Sequence, residues 1–196
     1  YYREFCKYFV ATIKEGNGDL RDLYHNVMDY VEDLYNNWFL GQLSESWTRA
    51  CEDELGKHGY ILNISKQKDF YKNKVQFADN RVFVIVSDSL RYEVAAVLAK
   101  ELRKETQSEV ALNSMQGIFP TITKFGMAAL LPHKELTAEI KSTTKTERLA
   151  VLADGASTES NNRENVLKKA NVNSVALQYK VLANLKRAER LDLVRG

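Results

Sequence analysis

The chain has 196 residues, 44% hydrophobic and 28% charged, and its 28 basic and 26 acidic side chains leave a formal net charge of +2. This is the composition of an ordinary globular protein able to bury a sizeable core. It excludes the strongly basic profile of a dedicated nucleic-acid binder, and no apolar stretch approaches the roughly 20 residues of a membrane span, so neither a polyanion nor a membrane partner is implied.

Residues 1–80 read as a helical lead-in region. Leu20, Leu23, Val27, Val31, Leu34 and Trp38 recur every three or four positions, and Leu43 and Trp47 continue the stripe. A break is expected at 15–19, with Asn17-Gly18 as turn residues and Asp19 as N-cap. The many aromatics (Tyr1, Tyr2, Phe5, Tyr8, Phe9, Tyr24, Tyr30, Tyr35) are read as helix-packing bulk, because basic residues do not interleave with them. "GKHGY" at 56–60 closes the helical stretch, and 67–81 reads as a polar connection with one short helical turn. Cys6 and Cys51 form no C-x-x-C pair and are read as free thiols in a reducing compartment, with a disulfide as the alternative; a cytoplasmic location is expected. The chain opens without Met on YYREFCKYFV, already helical in pattern, and ends on RLDLVRG, so it is expected to be a piece of a longer protein.

From residue 81 the pattern changes to α/β. RVFVIV (81–86) is a short β-branched run bounded by Asn80 and Ser87-Asp88, which predicts a strand buried on both faces, as in a parallel sheet. RYEVAAVLAKELRKET predicts an amphipathic helix. A second strand is expected at about 109–116, then the loop GIFPT and a short apolar helix from about 124 to 131, stopped by Pro132. LAVLA (149–153) predicts a strand closed by an Asp154-Gly155 turn, RENVLKKA a helix, SVALQ a strand and YKVLANLKRAERLDLV a final helix. The segment TAEIKSTTKTER (137–148) is expected to be a mobile loop. Alternating strands and helices predict a largely parallel sheet with flanking helices over 81–196.

Two stretches carry candidate chemistry. Asp88 follows the first expected strand, the end at which open α/β sheets bind ligands, and a carboxylate there needs a hydrogen bond, an ion pair or a cation. Capping of the following helix is the alternative role. In "FPTITKFGMAALLPH" (119–133), Thr121 and Thr123 precede or open a helix whose N–H groups suit a phosphate or sulfate, with capping again the alternative. His58 and His133 read as turn or surface residues, and no Cys/His cluster has metal-site spacing.

The order strand–Asp, helix, strand, then Phe-Pro-Thr-x-Thr opening a second helix resembles the alkaline phosphatase superfamily. "VIVSDSLRYEVA" together with "FPTITKFGMAALLPHKE" is similar to the PglZ domain of bacterial BREX and phage growth limitation defence proteins, a domain also fused to some response regulators. The likeness extends from about residue 36, through Trp38-x-Leu40 and Gln67-x-x-Phe70-Tyr71, to "DGASTESNNRENVLKKA" and the chain's end. It implies an incomplete alkaline-phosphatase-like sheet and a metal-dependent phosphatase or phosphodiesterase. By matched position Asp88 is the metal ligand and Thr123 the nucleophile that also bridges two divalent ions, usually zinc; Thr121 is second choice for the nucleophile.

Two departures accompany the likeness. Diesterase relatives place an Asn three residues after the nucleophile to hold phosphate, and here that position is Gly126; Lys124 is the candidate substitute for substrate binding. The remaining Asp and His ligands of the superfamily come from later strands, including a Tyr-His-Asn-x-x-Asp stretch placed beyond residue 196, so this chain is expected to retain metal poorly and to be inactive by itself. Tyr24-His25-Asn26 and Asp29 share that spacing but fall on a helical stripe and read as coincidence. The expected partners are a phosphoester substrate and other phage-defence proteins. A phosphatase-like scaffold docking such proteins through the aromatic-rich helices is the alternative function, and a response-regulator output domain a third.

Overall fold

The computed structural model describes residues 1–15, 21–142 and 146–195. The expected break at Asn17-Gly18 and its Asp19 cap lie outside these residues. The chain divides into two compact units, Tyr1–Leu62 and Asn63–Gly196.

The first unit is helical, as the spacing predicts. Helix α1 (Tyr2–Glu15) is followed by α2 (Arg21–Asp33), which runs without interruption through a π-helical turn, Leu34–Phe39, into α3 (Leu40–His58). The rod stops at Gly59, whose φ of 71° lies in the left-handed region; its N–H bonds the Leu55 carbonyl at 2.9 Å, a glycine C-terminal cap. Rings join the helices: Tyr2 stacks on Tyr35 with centroids 3.8 Å apart, and Phe9 meets Tyr24 edge-on at 6.3 Å. Tyr2, Phe5, Phe9, Tyr24 and Tyr35 are therefore packing bulk, as expected, whereas Tyr1, Tyr8 and Tyr30 are exposed. The packing rings also shift the packed face away from most of the predicted stripe, although Val31 of that stripe stays half-buried. Tyr24, Met28, Val31 and Tyr35 are half-buried, whereas Leu23, Val27, Leu34 and Trp38 stay exposed. The large rings of Tyr24 and Tyr35 find partners on α1 and turn the helix toward them. Both cysteines are free.

In the second unit, a 3₁₀ turn (Gln67–Asp69) leads into the short α4 (Phe70–Lys74), and α5 spans Tyr92–Glu105. Helix α6 is Thr123–Ala129, followed by strands β1 (Leu136–Ser142), β2 (Glu147–Ala153) and β3 (Ala156–Ser157). Helix α7 covers Arg163–Ala170, and the expected last helix is two, α8 (Tyr179–Asn184) and α9 (Arg187–Arg195). The core lies where Leu131, Ala153 and Val166 meet, with Leu136, Ala156 and Leu167 against them. Burial in β2 runs through the consecutive residues Ala150 and Val151 and resumes at Ala153, so both of its faces are covered. Ala128 and Ala129 of α6 are fully buried, and small side chains there let α6 approach β2 closely.

The sheet corrects several expectations. Among the described residues it is a three-stranded antiparallel meander, β1-β2-β3, and the expected largely parallel sheet is not seen there. The register pairs Leu136 with Ala153 and Ser142 with Glu147, so most of the segment expected to be a mobile loop is strand. Its side chains are almost all exposed, and the backbone ladder forms without a hydrophobic signal. RVFVIV, 109–115 and SVALQ form no strand among the described residues. A strand exists only through a ladder partner, and apolar composition does not supply one; Ile85 is 92% exposed. Parallel pairing in the described residues is limited to an isolated bridge between Lys66 and Gln116.

The β2–β3 turn is the expected Asp154-Gly155 pair, with φ of 47° and 77°, the pattern of a type I′ hairpin turn. The Asp154 carboxylate accepts backbone N–H bonds from Glu135 at 2.9 Å and Lys134 at 3.0 Å, and these hold it below the usual carboxylate range. A lowered folded-state pKa stabilises the fold above the unfolded value, and that stabilisation is lost as pH falls through the folded value. Asp154→Asn, which tolerates the left-handed turn, lowers the melting temperature at pH 7, and the gap to wild type closes below about pH 4. Thermal melts across pH read this directly; a gap that does not change with pH contradicts it.

Candidate functional site

Three connections of the second unit converge on one cavity of about 340 Å³. They are the turn at Asp88-Ser89 before α5, the loop Gly117–Ile122 before α6, and the 3₁₀ turn that carries Gln67.

Asp88 and Thr123, 35 residues apart, meet here: Thr123 Oγ1 donates to Asp88 Oδ2 at 3.3 Å, at the long end for such a bond. The other carboxylate oxygen, Oδ1, accepts the Ser89 N–H at 3.1 Å. Ser89 has φ of 61°, a conformation costing about 1–2 kcal/mol for a non-glycine residue, and it forms the turn that presents Asp88. Neither residue takes up its alternative capping role. The N-cap of α5 is Arg91 and that of α6 is Ile122, and neither helix receives a side-chain cap. Both Asp88 and Thr123 are exposed, so the pair is open to ligands from solvent.

Thr121 also lines the cavity, but it is the hydroxyl of Thr123 that reaches Asp88. Lys124 is not among the lining residues. Its Nζ donates to the Leu149 carbonyl at 2.6 Å and pairs with Glu159 at 3.0 Å, tying α6 to β2. His133 Nδ1 lies 2.7 Å from the Leu131 carbonyl, and the His58 ring lies 6.0 Å from that of Tyr60. Tyr24-His25-Asn26 and Asp29 lie within α2, where Tyr24 packs on Phe9, so the run belongs to a packed helix and does not follow a strand.

Gln67 is the site residue for which sequence reasoning found no role. Its Oε1 accepts the Ile118 N–H at 3.2 Å and its Nε2 donates to the Gly126 carbonyl at 3.2 Å. It stood in the stretch Gln67-x-x-Phe70-Tyr71, but a side chain bridging two backbone groups leaves no periodic trace.

The donor set bears on a metal. A carboxylate and a hydroxyl directed at each other offer two hard oxygen donors, which suit a divalent cation. Among the described residues no group of three His, Cys, Asp or Glu side chains converges, so the pair fits as part of a ligand set and does not complete one. Lys124, by contrast, serves the fold: Lys124→Met costs about 1 kcal/mol after allowing for its partial exposure, measured by urea unfolding. Unchanged stability contradicts this placement.

Residues 69–196 match the family model of the BREX system PglZ alkaline phosphatase-like domain. The chain is 38% identical, over 201 aligned residues, to the alkaline phosphatase-like protein BrxZ of Escherichia coli O9:H4 (strain HS), an alignment covering 99% of this chain and 22% of that protein. It is 34% identical over 179 residues to the alkaline phosphatase-like protein PglZ of Bacillus cereus (strain H3081.97), covering 90% of this chain and 20% of that one. It thus spans about a fifth of the length of these curated relatives. No solved structure matches it. By its domain match and by identity sustained along nearly its whole length, the chain belongs to the PglZ family of BREX-system alkaline phosphatase-like domains.

Proposed function

We propose that this chain contributes part of the active site of a metal-dependent phosphohydrolase, a phosphatase or phosphodiesterase, acting in bacterial phage defence. Thr123 is the nucleophile and Asp88 a metal ligand. The observation that carries the reading is the Thr123–Asp88 contact itself: two residues of the required types, neither capping a helix, meet at the edge of an open cavity. A volume of about 340 Å³ is in the range that accepts a small ligand. The relatives' descriptions as alkaline phosphatase-like agree with this chemistry.

Asp88 accepts the Thr123 hydrogen bond and so holds the hydroxyl at the cavity, where a phosphoester phosphorus would be attacked. A divalent ion bound beside them, zinc by family likeness, would lower the hydroxyl pKa and neutralise phosphoryl charge. Two donors fall short of the three or four that hold zinc well, so the 196 residues alone retain metal poorly and the remaining ligands come from elsewhere in the protein. Lys124, already engaged with Leu149 and Glu159, is not part of this proposal.

A second reading is a phosphatase-like scaffold that docks other defence components. It is favoured by the exposed Trp38, Leu43 and Trp47 of the first unit. One experiment separates the two. In zinc-loaded protein at the full length of the relatives, Thr123→Ala and Asp88→Ala each reduce hydrolysis of bis(p-nitrophenyl) phosphate by about 10³-fold or more, while Trp38→Ala with Trp47→Ala leaves it unchanged. Hydrolysis that survives both site variants rejects the enzymatic reading.

A further inference from the structure

We propose that Gln67 is a positioning residue for Thr123, clamping the loop before α6 to the first turns of that helix. The proposal rests on Thr123 being the nucleophile. A carboxamide offers a donor and an acceptor at once, and Gln67 uses both, on groups that flank Thr123 in sequence. Its Oε1 takes the Ile118 N–H five residues before Thr123, and its Nε2 reaches the Gly126 carbonyl three residues after it. The Thr121–Thr123 segment is thereby closed into a loop of fixed width.

The clamp has a fixed base. The Gln67 backbone N–H bonds the Gln116 carbonyl at 2.9 Å, and the Gln116 N–H bonds the Ser65 carbonyl at 2.8 Å. Gln67 is half-buried and lines the same cavity as Asp88 and Thr123.

Gly126 fits the same device. Glycine inside a helix is disfavoured relative to alanine, and α6 is only seven residues long. A Cβ at position 126 would lie 3.3 Å from Gln67 Nε2, a crowded contact, while one at Gly117 would lie an ordinary 3.8 Å from Oε1. The missing side chain at 126 gives the amide room to reach the helix carbonyl. Gln67 and Gly126 are therefore coupled through one contact, and the sign of that coupling can be measured.

The test uses Gln67→Ala, Gly126→Ala, the double variant and Gln67→Glu in zinc-loaded protein at the full length of the relatives. Bis(p-nitrophenyl) phosphate kinetics are run beside hydrogen exchange of peptides covering 117–126. Gln67→Ala speeds exchange in this segment about tenfold and lowers kcat about 10- to 100-fold through misplacement of Thr123, with KM within about twofold. The double variant is no slower than Gln67→Ala, because the added methyl has no amide left to crowd. Unchanged exchange in Gln67→Ala, or losses that multiply in the double variant, overturn the proposal.

Gln67→Glu covers the case in which Gln67→Ala does not fold. It keeps the acceptor for Ile118 and loses the donor for Gly126 until its carboxyl is protonated. Its kcat deficit relative to wild type narrows as pH falls; a constant ratio overturns the proposal. If wild-type protein does not hydrolyse the ester, the functional reading fails on its own. Exchange in the 117–126 segment then decides the clamp alone: faster exchange in Gln67→Ala supports it and unchanged exchange rejects it.

Discussion

The site depends on holding two irregular connections together across 35 residues of sequence. Asp88 and Thr123 meet at 3.3 Å, yet the turn before α5 contributes to no ladder among the described residues, and the loop before α6 only the isolated Lys66–Gln116 bridge at its start. What fixes them is local: Asp88 sits beside the left-handed Ser89, whose N–H it accepts, and Gln67 ties Ile118 to Gly126. On the other side, Lys124 fastens α6 to β2 through the Leu149 carbonyl, and Ala128 and Ala129 bury the end of the helix. Thr123 thus sits at the solvent-exposed start of a helix whose far end is buried in the core.

This arrangement separates the residues proposed for chemistry from those whose contacts tie α6 to its surroundings. Lys124 and Thr123 are neighbours in sequence, and in the sequence both are candidates for the site. A helix turns about 100° per residue, so adjacent side chains point in different directions. Thr123 meets Asp88 while Lys124 meets Leu149 and Glu159. Gln67 works through backbone groups alone, which is why residue chemistry gave no reason to select it.

Much of the helical structure was legible because apolar periodicity reports the helices directly: α5, α6 and α7 stand close to where their spacing puts them. The strands were not. RVFVIV has the composition of a buried strand but no ladder partner among the described residues, whereas Thr137–Ser142 has a partner in β2 and no apolar face to announce it. Hydrophobicity records burial; pairing is a property of two segments, and one segment's composition does not encode the other. The pairing of Asp88 with Thr123 came from likeness to a family and not from periodicity. Tyr24 and Tyr35 show the same limit in the helices, since ring contacts to α1 decided which face turned inward.

The central claim is that Asp88 and Thr123 are halves of one metal and phosphoryl site. It is tested most directly by zinc anomalous scattering from crystals of the protein at the full length of its relatives. The account predicts an anomalous peak at coordination distance, about 2.0–2.2 Å, from an Asp88 carboxylate oxygen and beside Thr123 Oγ1. Zinc bound elsewhere, with Asp88 and Thr123 bonded only to each other, would contradict it.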